Sequence, residues 1–392
     1  MQLSVIILNY NVRYFLEQCI LSVQSALESI DSEIIVIDNN SLDDSCEMMK
    51  RRFPNVKLIE NKENLGFPKG NNIGVAQAIG EYICILNPDT VVAEDTFTKV
   101  LAYAKSLHVS KINDTLGIIG CKLIDGTGNF LPESKRGVPT PWVAFTKLAG
   151  LYTFFPKWKL FNQYYAQHLN ENQTGEVAVL VGAFMVMKRE LYLELGGFDE
   201  NCFMYSDDID LSYRMLKRGK SNYYYHQTTV IHYKGESTIK DWTYMKRFQE
   251  AMDFFYKKHF KDVLFFSIFM KVGIVFFSFA KRFQGRKRQK NSPKSFLLCS
   301  SNEKLADKLT FIFQKKVVFH DLKTEKMVIS SLLEGSLGTE IILDNQFISF
   351  KECVSILESL KNSGFTFKIK PKNANFLIGS NNNSERGEVC NC

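Results

Sequence analysis

Several carboxylates in this chain stand where an apolar run stops. The run Tyr82–Leu86 ends in Asn87-Pro88-Asp89, and the run Ile34–Ile37 ends in Asp38-Asn39-Asn40-Ser41. A third acidic group, Asp207-Asp208-Ile209-Asp210, opens a stretch whose apolar residues Ile209, Leu211, Met215 and Leu216 recur with helical spacing. Pro88 cannot donate to a sheet ladder, so its strand must end there and leave Asp89 at the carboxyl end. Carboxylates so placed can hold a hard cation or take a proton from an attacking hydroxyl. Each has a plainer reading beside the chemical one. Asp38 suits a ribose or a nucleobase, because a carboxylate accepts two hydrogen bonds, and equally suits a turn or a helix cap. The 207–210 acids suit a helix N-terminus on electrostatic grounds alone.

The elements that must position these groups follow from periodicity. Leu3–Leu8 and Glu33–Asp38 are apolar strand runs, and Val56–Ile59 is a shorter one. Between the first two, Phe15, Leu16, Cys19, Ile20, Val23 and Leu27 mark a helix, and Asp43 and Asp44 open another. Strand–helix alternation argues a parallel sheet with helices on its faces. Such a sheet places its carboxyl ends on one edge, where ligands bind, so Asn9-Tyr10, Asp38-Asn39 and Asn87–Asp89 line one cleft. The segment Glu63–Gly74 carries Gly66, Gly70, Gly74 and Lys69 before a helix expected at Val75–Ile79. It fits a phosphate at a helix N-terminus, or a tight loop needing positive φ at Gly66 and Gly70. Further on, a helix is expected over Thr96–Leu107 and strands over Leu116–Leu123, Val177–Lys188 and Tyr223–His232. Gly182 within Val177–Lys188 permits a close approach. The aromatic-rich stretch Phe130–Gln173 is irregular and carries nothing chemically diagnostic.

Four motifs in order over the first ninety residues resemble the nucleotide-binding half of the family 2 glycosyltransferases, with the GT-A fold. They are Val5-Ile-Ile-Leu-Asn-Tyr-Asn11, Ile37-Asp-Asn-Asn-Ser41, Glu63-Asn-Leu-Gly-Phe67 with Gly70-Asn-Asn-Ile-Gly74, and Leu86-Asn-Pro-Asp-Thr90. The resemblance implies an inverting, metal-dependent transfer of a sugar from a nucleotide-diphospho-sugar to a hydroxyl of a glycan or lipid-linked acceptor. It points to the bacterial cell-surface-polysaccharide type, rhamnosyl transfer included. It implies donor contacts from Leu8, Asn9, Tyr10, Asp38, Asn39, Asn64, Gly66, Lys69, Asn87 and Asp89, with Asp38 at the base and Lys69 near the diphosphate. Asn87-Pro-Asp89 stands where the family has a metal-binding Asp-x-Asp, with Asn replacing the first Asp, so Asp89 is expected to hold Mg²⁺ or Mn²⁺. His232 lies where related enzymes place a metal-binding histidine, whereas His226 is read as an ordinary hydrogen-bonding residue. Asp207-Asp208 matches the family's acidic motif, usually Glu-Asp-x-Asp, with Asp208 as catalytic base, Asp207 in place of Glu, and Asp210 as an orienting or capping residue.

At 392 residues, with 45% hydrophobic and 23% charged residues, the chain is globular and longer than one ordinary domain. We expect a GT-A catalytic domain over 1–260, a hydrophobic helical segment with a basic linker over 261–292, a small Rossmann-like α/β domain over 293–380, and a disordered tail over 381–392. Net charge is +7, and 281–290 alone holds six Lys or Arg and no acid. Beside the apolar stretch 264–280, interrupted by Lys271, this predicts peripheral contact with an anionic membrane surface through 264–290, and no nucleic acid. The nine cysteines have no metal-ligand or disulfide spacing, and no signal peptide precedes Leu3. A cytoplasmic location at the cytoplasmic membrane face follows as the expectation. Two rival readings are a sugar nucleotidyltransferase, disfavoured by the absence of glycine in the first turn Asn9–Arg13, and a non-catalytic nucleotide-sugar or glycan-binding module.

Overall fold

Apolar runs bounded by turn residues produce the strands, as expected. In the computed structural model β1 (Leu3–Asn9), β2 (Ser32–Asp38), β3 (Lys57–Glu60) and β4 (Tyr82–Leu86) pair in parallel in the order β3-β2-β1-β4. The structure describes residues 1–109, 115–148, 154, 158, 160–161, 163–233, 242–260, 293–323, 338–380 and 387–392. The sheet then becomes mixed. β8 (Phe184–Lys188) runs antiparallel between β4 and β6 (Leu116–Ile124), and β6 pairs in parallel with β9 (Ser221–His232). The short β5 (Thr90–Val91) and β7 (Gly175–Val177) lie antiparallel to β9. Because β9 runs in the same direction as β1, β2 and β4, its last residue, His232, reaches the same edge as Asn9, Asp38 and Asn87.

Helices α1 (Arg13–Leu27), α2 (Ser45–Arg52), α3 (Gly66–Ala76) and α4 (Thr96–Val109) cover the sheet. The expected face of α1 is buried, with Phe15, Leu16, Cys19, Ile20, Val23 and Leu27 in the core. α3 corrects one expectation. The helix begins at Gly66, not near Val75, so its glycines are mostly helical. Gly66 has φ +79°, whereas Gly70 has no positive φ. Gly70 lies close over Leu8, and a Cβ there would meet Leu8 Cδ1 at 2.4 Å, so that side chain would have to shift. Downstream lie α5 (Pro141–Leu148), α6 (Arg189–Glu194), the acidic helix α7 (Asp207–Lys217) and the amphipathic α8 (Trp242–His259).

A second correction concerns Val177–Lys188. This apolar run is two strands, β7 and β8, on different neighbours, with a turn over 178–183 between them. A buried apolar run carries no alternation, so nothing in its pattern marks the break.

A separate six-stranded sheet follows, ordered β11 (Val317–Asp321), β10 (Ser295–Ser300), β12 (Thr339–Asp344), β13 (Thr366–Lys370), β14 (Phe376–Gly379), β15 (Glu388–Asn391). The first four are parallel and the last two antiparallel. Helices α9 (Glu303–Phe313) and α10 (Phe350–Ser359) accompany it. β15 corrects the disordered tail expected over 381–392 at its residues Glu388–Asn391, while 381–386 lie outside the described residues. Leu377 pairs with Cys390 and Ile378 with Val389, and Cys390 and Cys392 pack on the apolar cluster of Phe296, Leu298 and Leu309. The sheet edge supplies backbone partners that a polar tail alone does not reveal.

The two sheets are packed together through α10. Glu94 accepts hydrogen bonds from the backbone N of Phe350 and of Lys351, both at 2.7 Å, so one element's carboxylate caps the other's helix. Lys122, buried in β6, donates to Glu358 at 2.5 Å and to Asn172 at 2.6 Å. Gly128 has φ +82°, and a Cβ there would lie 1.9 Å from the carbonyl oxygen of Leu357. One apolar cluster joins Val91, Ile124, Ile231 and Tyr233 to Phe350, Leu357 and Phe376. The expected membrane-facing stretch 264–290 lies outside the described residues. Among the described residues no helix is long and apolar enough to cross a membrane.

Candidate active site

The carboxyl edge of the first sheet gathers the donor-side residues. Asp38 is buried and accepts from Asn9 Nδ2 at 2.7 Å and from the Ser41 backbone N at 2.8 Å. Asn9 Nδ2 also donates to Ser41 Oγ, and Leu42 N donates to Asn11 Oδ1. Asp38 thus builds the turn that its plainer reading suggested, and it stands on the cleft while doing so. Asn39 links the two loops, donating to Asn64 Oδ1 at 3.0 Å and to the Gly66 carbonyl at 3.2 Å. Leu8 lies beneath Gly70, Tyr10 is half-buried at the strand end, and Lys69 is exposed on the first turn of α3. Asn9 Oδ1 is buried with no hydrogen-bond partner.

Asn87, Asp89 and His232 meet at the centre of this edge. Thr90 is directly opposite His232 in the β5–β9 pair, and Asp89 O accepts from Tyr233 N at 3.0 Å. His232 Nε2 lies 3.4 Å from Asp89 Oδ1 and 3.4 Å from Asn87 Nδ2. Asn87 Oδ1 and His232 Nδ1 are buried without hydrogen-bond partners. Buried polar atoms of this kind call for a further group. A carboxylate, an amide oxygen and an imidazole fit a divalent cation that completes its shell with phosphate oxygens. No cluster of three or more His, Cys, Asp or Glu suited to a metal occurs among the described residues. His226 is bonded to Thr174 at 2.8 Å and takes no part, as expected.

The acidic group opens α7 and faces the turn 178–183. Asp208 Oδ2 accepts from Gly182 N at 3.1 Å and from Arg136 Nη2 at 2.5 Å. Gly182 is in ordinary contact, since a Cβ there would sit 3.5 Å from Asp208 Cβ and from Phe67 Cζ, so the close approach expected at this glycine is not sterically demanded. Burial, and then the charge of Asp208, push the Asp207 carboxyl up to about 7. Burial works against the Arg136 charge, yet the Asp208 carboxylate beside it holds the guanidinium above its ordinary value. Asp210 is fully buried and tied to Arg214 at 2.7 Å, to His259 at 2.6 Å and to Lys258 at 3.0 Å. It orients α7 on α8 and does not face the cleft chemistry.

Arg136 is the residue missed in the sequence. It lies in the stretch Phe130–Gln173, which therefore does carry a diagnostic group. Its backbone exchanges two hydrogen bonds with Val179, both at 2.9 Å, and this places its side chain on α7. The signal was the basic pair Lys135-Arg136 inside an otherwise aromatic loop. The two halves of the site join within the turn 178–183. Ala183 O accepts from Asn87 N at 3.0 Å, while its neighbour Gly182 donates to Asp208. Phe67 N, from the glycine loop, donates to Phe203 O at 2.9 Å just before α7.

Residues 4–196 match the family model for Glycosyl transferase family 2. The chain is 28% identical over 250 residues to the N-acetylglucosaminyl-diphospho-decaprenol L-rhamnosyltransferase of Mycobacterium tuberculosis, covering 61% of this chain and 78% of that protein. It is 27% identical over 177 residues to the rhamnosyltransferase WbbL of Escherichia coli, covering 43% of this chain and 61% of that one. Among solved structures, a mannosyltransferase from Pyrobaculum calidifontis aligns with a TM-score of 0.44 at 20% identity, over 67% of this chain and 64% of that chain. The matched family model identifies residues 4–196 as a glycosyltransferase family 2 segment, and the chain as an enzyme that transfers a sugar from a nucleotide-sugar donor.

Proposed function

We propose that the chain is an inverting glycosyltransferase that uses Mg²⁺ or Mn²⁺ and acts on a lipid-linked acceptor in cell-surface polysaccharide synthesis, with rhamnose as the leading donor sugar. The observation that carries the reading is the turn 178–183, whose adjacent residues Gly182 and Ala183 hold Asp208 on one side and Asn87 on the other. Inversion needs a base and a leaving group on opposite faces of the anomeric carbon, and a single turn bonded to both Asp208 and Asn87 supports that reading. Asp89, Asn87 and His232 would hold the cation, which supplies Lewis-acid neutralisation of the departing nucleoside diphosphate. Asn9 Oδ1 offers the donor an acceptor that the protein leaves unpaired. Asp208, aimed by Gly182 N and Arg136, takes the proton of the attacking hydroxyl. Burial of Asp207 beside it keeps a proton on the carboxyl pair up to about 7.

The acceptor assignment draws on the mycobacterial relative, whose name specifies a diphospho-decaprenol substrate, and on the apolar and basic stretch 264–290, which would bring the enzyme to the cytoplasmic membrane face. The test is transfer from a nucleotide-diphospho-rhamnose to N-acetylglucosaminyl-diphospho-polyprenol in vesicles, with the anomeric configuration of the product read by NMR. Inverted product whose formation stops with a chelator and returns with Mn²⁺ is expected. Retained configuration, or transfer indifferent to chelation, overturns the mechanism. Donor hydrolysis with no transfer to this acceptor overturns the acceptor assignment.

A further inference from the structure

The second sheet contains a ligand cavity of its own. Its chain order runs from β10 outward to β11, then back across to β12 and on to β13. The direction of winding therefore reverses between β10 and β12. In open parallel sheets ligands bind outside the carboxyl ends of the strands at such a reversal. Ser300 ends β10 and Asp344 ends β12, and Ser300 Oγ donates to Asp344 Oδ2 at 2.7 Å across the gap. A cavity of about 390 Å³ opens beside them, lined by Asn302, Lys304, Lys308, Asp344, Lys370 and Asn375 among others.

The charges in this cavity are unbalanced. Asp344 is buried and already satisfied by Ser300, by Gln346 N at 3.2 Å and by Lys370 at 3.5 Å. Among the described residues Lys304 and Lys308 have no ion-pair partner, and both stand on the first turns of α9 facing the cavity. The N-cap of α9, Asn302, makes no side-chain capping bond, so that helix end adds its own partial positive charge. Two lysines without an ion-pair partner, amide side chains and an open helix terminus beside an aspartate already bonded to Ser300 and Lys370 select a phosphate group.

The geometry points to a binding site for a phosphorylated small molecule at the β10–β12 reversal of the second sheet, held by Lys304, Lys308 and Lys370. This site is separate from the donor cleft of the first sheet and does not depend on the transfer reaction. Asn375 and Ala374 in the cavity wall precede Phe376, whose ring packs edge-on to Tyr14 at 5.0 Å, one residue from Arg13 at the start of α1. Occupancy is thus positioned to be felt at the donor edge.

The test is hydrogen exchange on the full chain with inorganic phosphate and with pyrophosphate, each against chloride at matched ionic strength. Protection of the peptides covering 303–313 and 370–376 is expected with both probes, tighter with pyrophosphate. Lys304→Ala/Lys308→Ala should weaken the apparent affinity at least about tenfold while leaving sugar transfer in phosphate-free buffer unchanged. Tighter binding of pyrophosphate assigns the natural ligand to diphosphate esters, and equal binding assigns it to monophosphates. Protection that matches the chloride control, survives in the double variant, or appears only over 66–76 and 207–217 overturns the proposal.

Discussion

Removing the Arg136 guanidinium tests the electrostatics of the base. Arg136→Ala leaves Asp207 and Asp208 adjacent and buried with no cation on them. Opposite unit charges about 4 Å apart are worth about 4 kcal/mol at an effective dielectric of 20. One pH unit of proton affinity corresponds to about 1.4 kcal/mol. Partial solvent access to both partners, 12% and 11% by side chain, reduces the effect to about one to two pH units. The carboxyl pair already holds a proton up to about 7 at Asp207, and Arg136 is among the groups opposing that rise. Its loss makes the pair bind the proton more tightly, so the acidic limb of the rate profile moves to higher pH. Release of nucleoside diphosphate, measured from pH 5.5 to 9 at saturating donor, should fall about 10- to 100-fold at pH 7 and recover largely at the alkaline end. Arg136→Lys should restore most of the loss. A loss that is the same at every pH would show that Arg136 only shapes the loop. An unmoved limb with near-normal rate would refute the clamp altogether.

Other expectations follow from the same geometry. His232→Ala should lower transfer about 10- to 100-fold and raise the Mn²⁺ concentration for half activity, measured by metal titration; an unchanged metal requirement would remove His232 from the cation site. Asp207 has a folded value of about 7 against an ordinary value near 4, so the folded state binds its proton more tightly than the unfolded chain, and stability falls as pH rises between those values. Asp207→Asn should therefore melt higher than the parent at pH 8 and alike near pH 4, and the reverse order would contradict the assigned burial. Gly66→Ala places a Cβ 2.7 Å from Phe203 O at φ +79° and should cost more than about 1 kcal/mol in denaturant unfolding, with weakened donor binding. Wild-type stability in that variant would mean the glycine loop relaxes freely.

The parallel half of the first sheet was legible because its strands are apolar runs, and those of β1, β2 and β4 are stopped by Asn, Asp or Pro. His232 was named by the resemblance alone, and the direction of β9 brings it to the same edge as Asn87. Three features were not legible. The turn 178–183 is hidden in a run that is apolar throughout, because its own residues are mostly buried and lead directly into the buried strand β8. Arg136 reaches Asp208 through a two-bond pairing with Val179, a contact 43 positions away that no local pattern encodes. The strand Glu388–Asn391 exists because β14 offers an unpaired edge, and edge pairing is a property of the partner. The resemblance named the roles of Asp89 and Asp208, while the residue types alone left each open to a structural reading.

The packing of the two sheets bears on how this polypeptide tolerates being cut. In sequence, the basic stretch 281–290 falls between the two sheets, where a cut would separate them. Cleavage and separation there would strip Lys122 of Glu358 and uncover Val91, Ile124, Ile231 and Tyr233. Two of these, Val91 and Tyr233, lie within two residues of Asp89 and His232. The severed N-terminal piece would carry every motif of its family and still lack the wall that keeps the carboxylate and the imidazole in register. Amputation of the second sheet would therefore be read in an assay as a lesion of the catalytic centre.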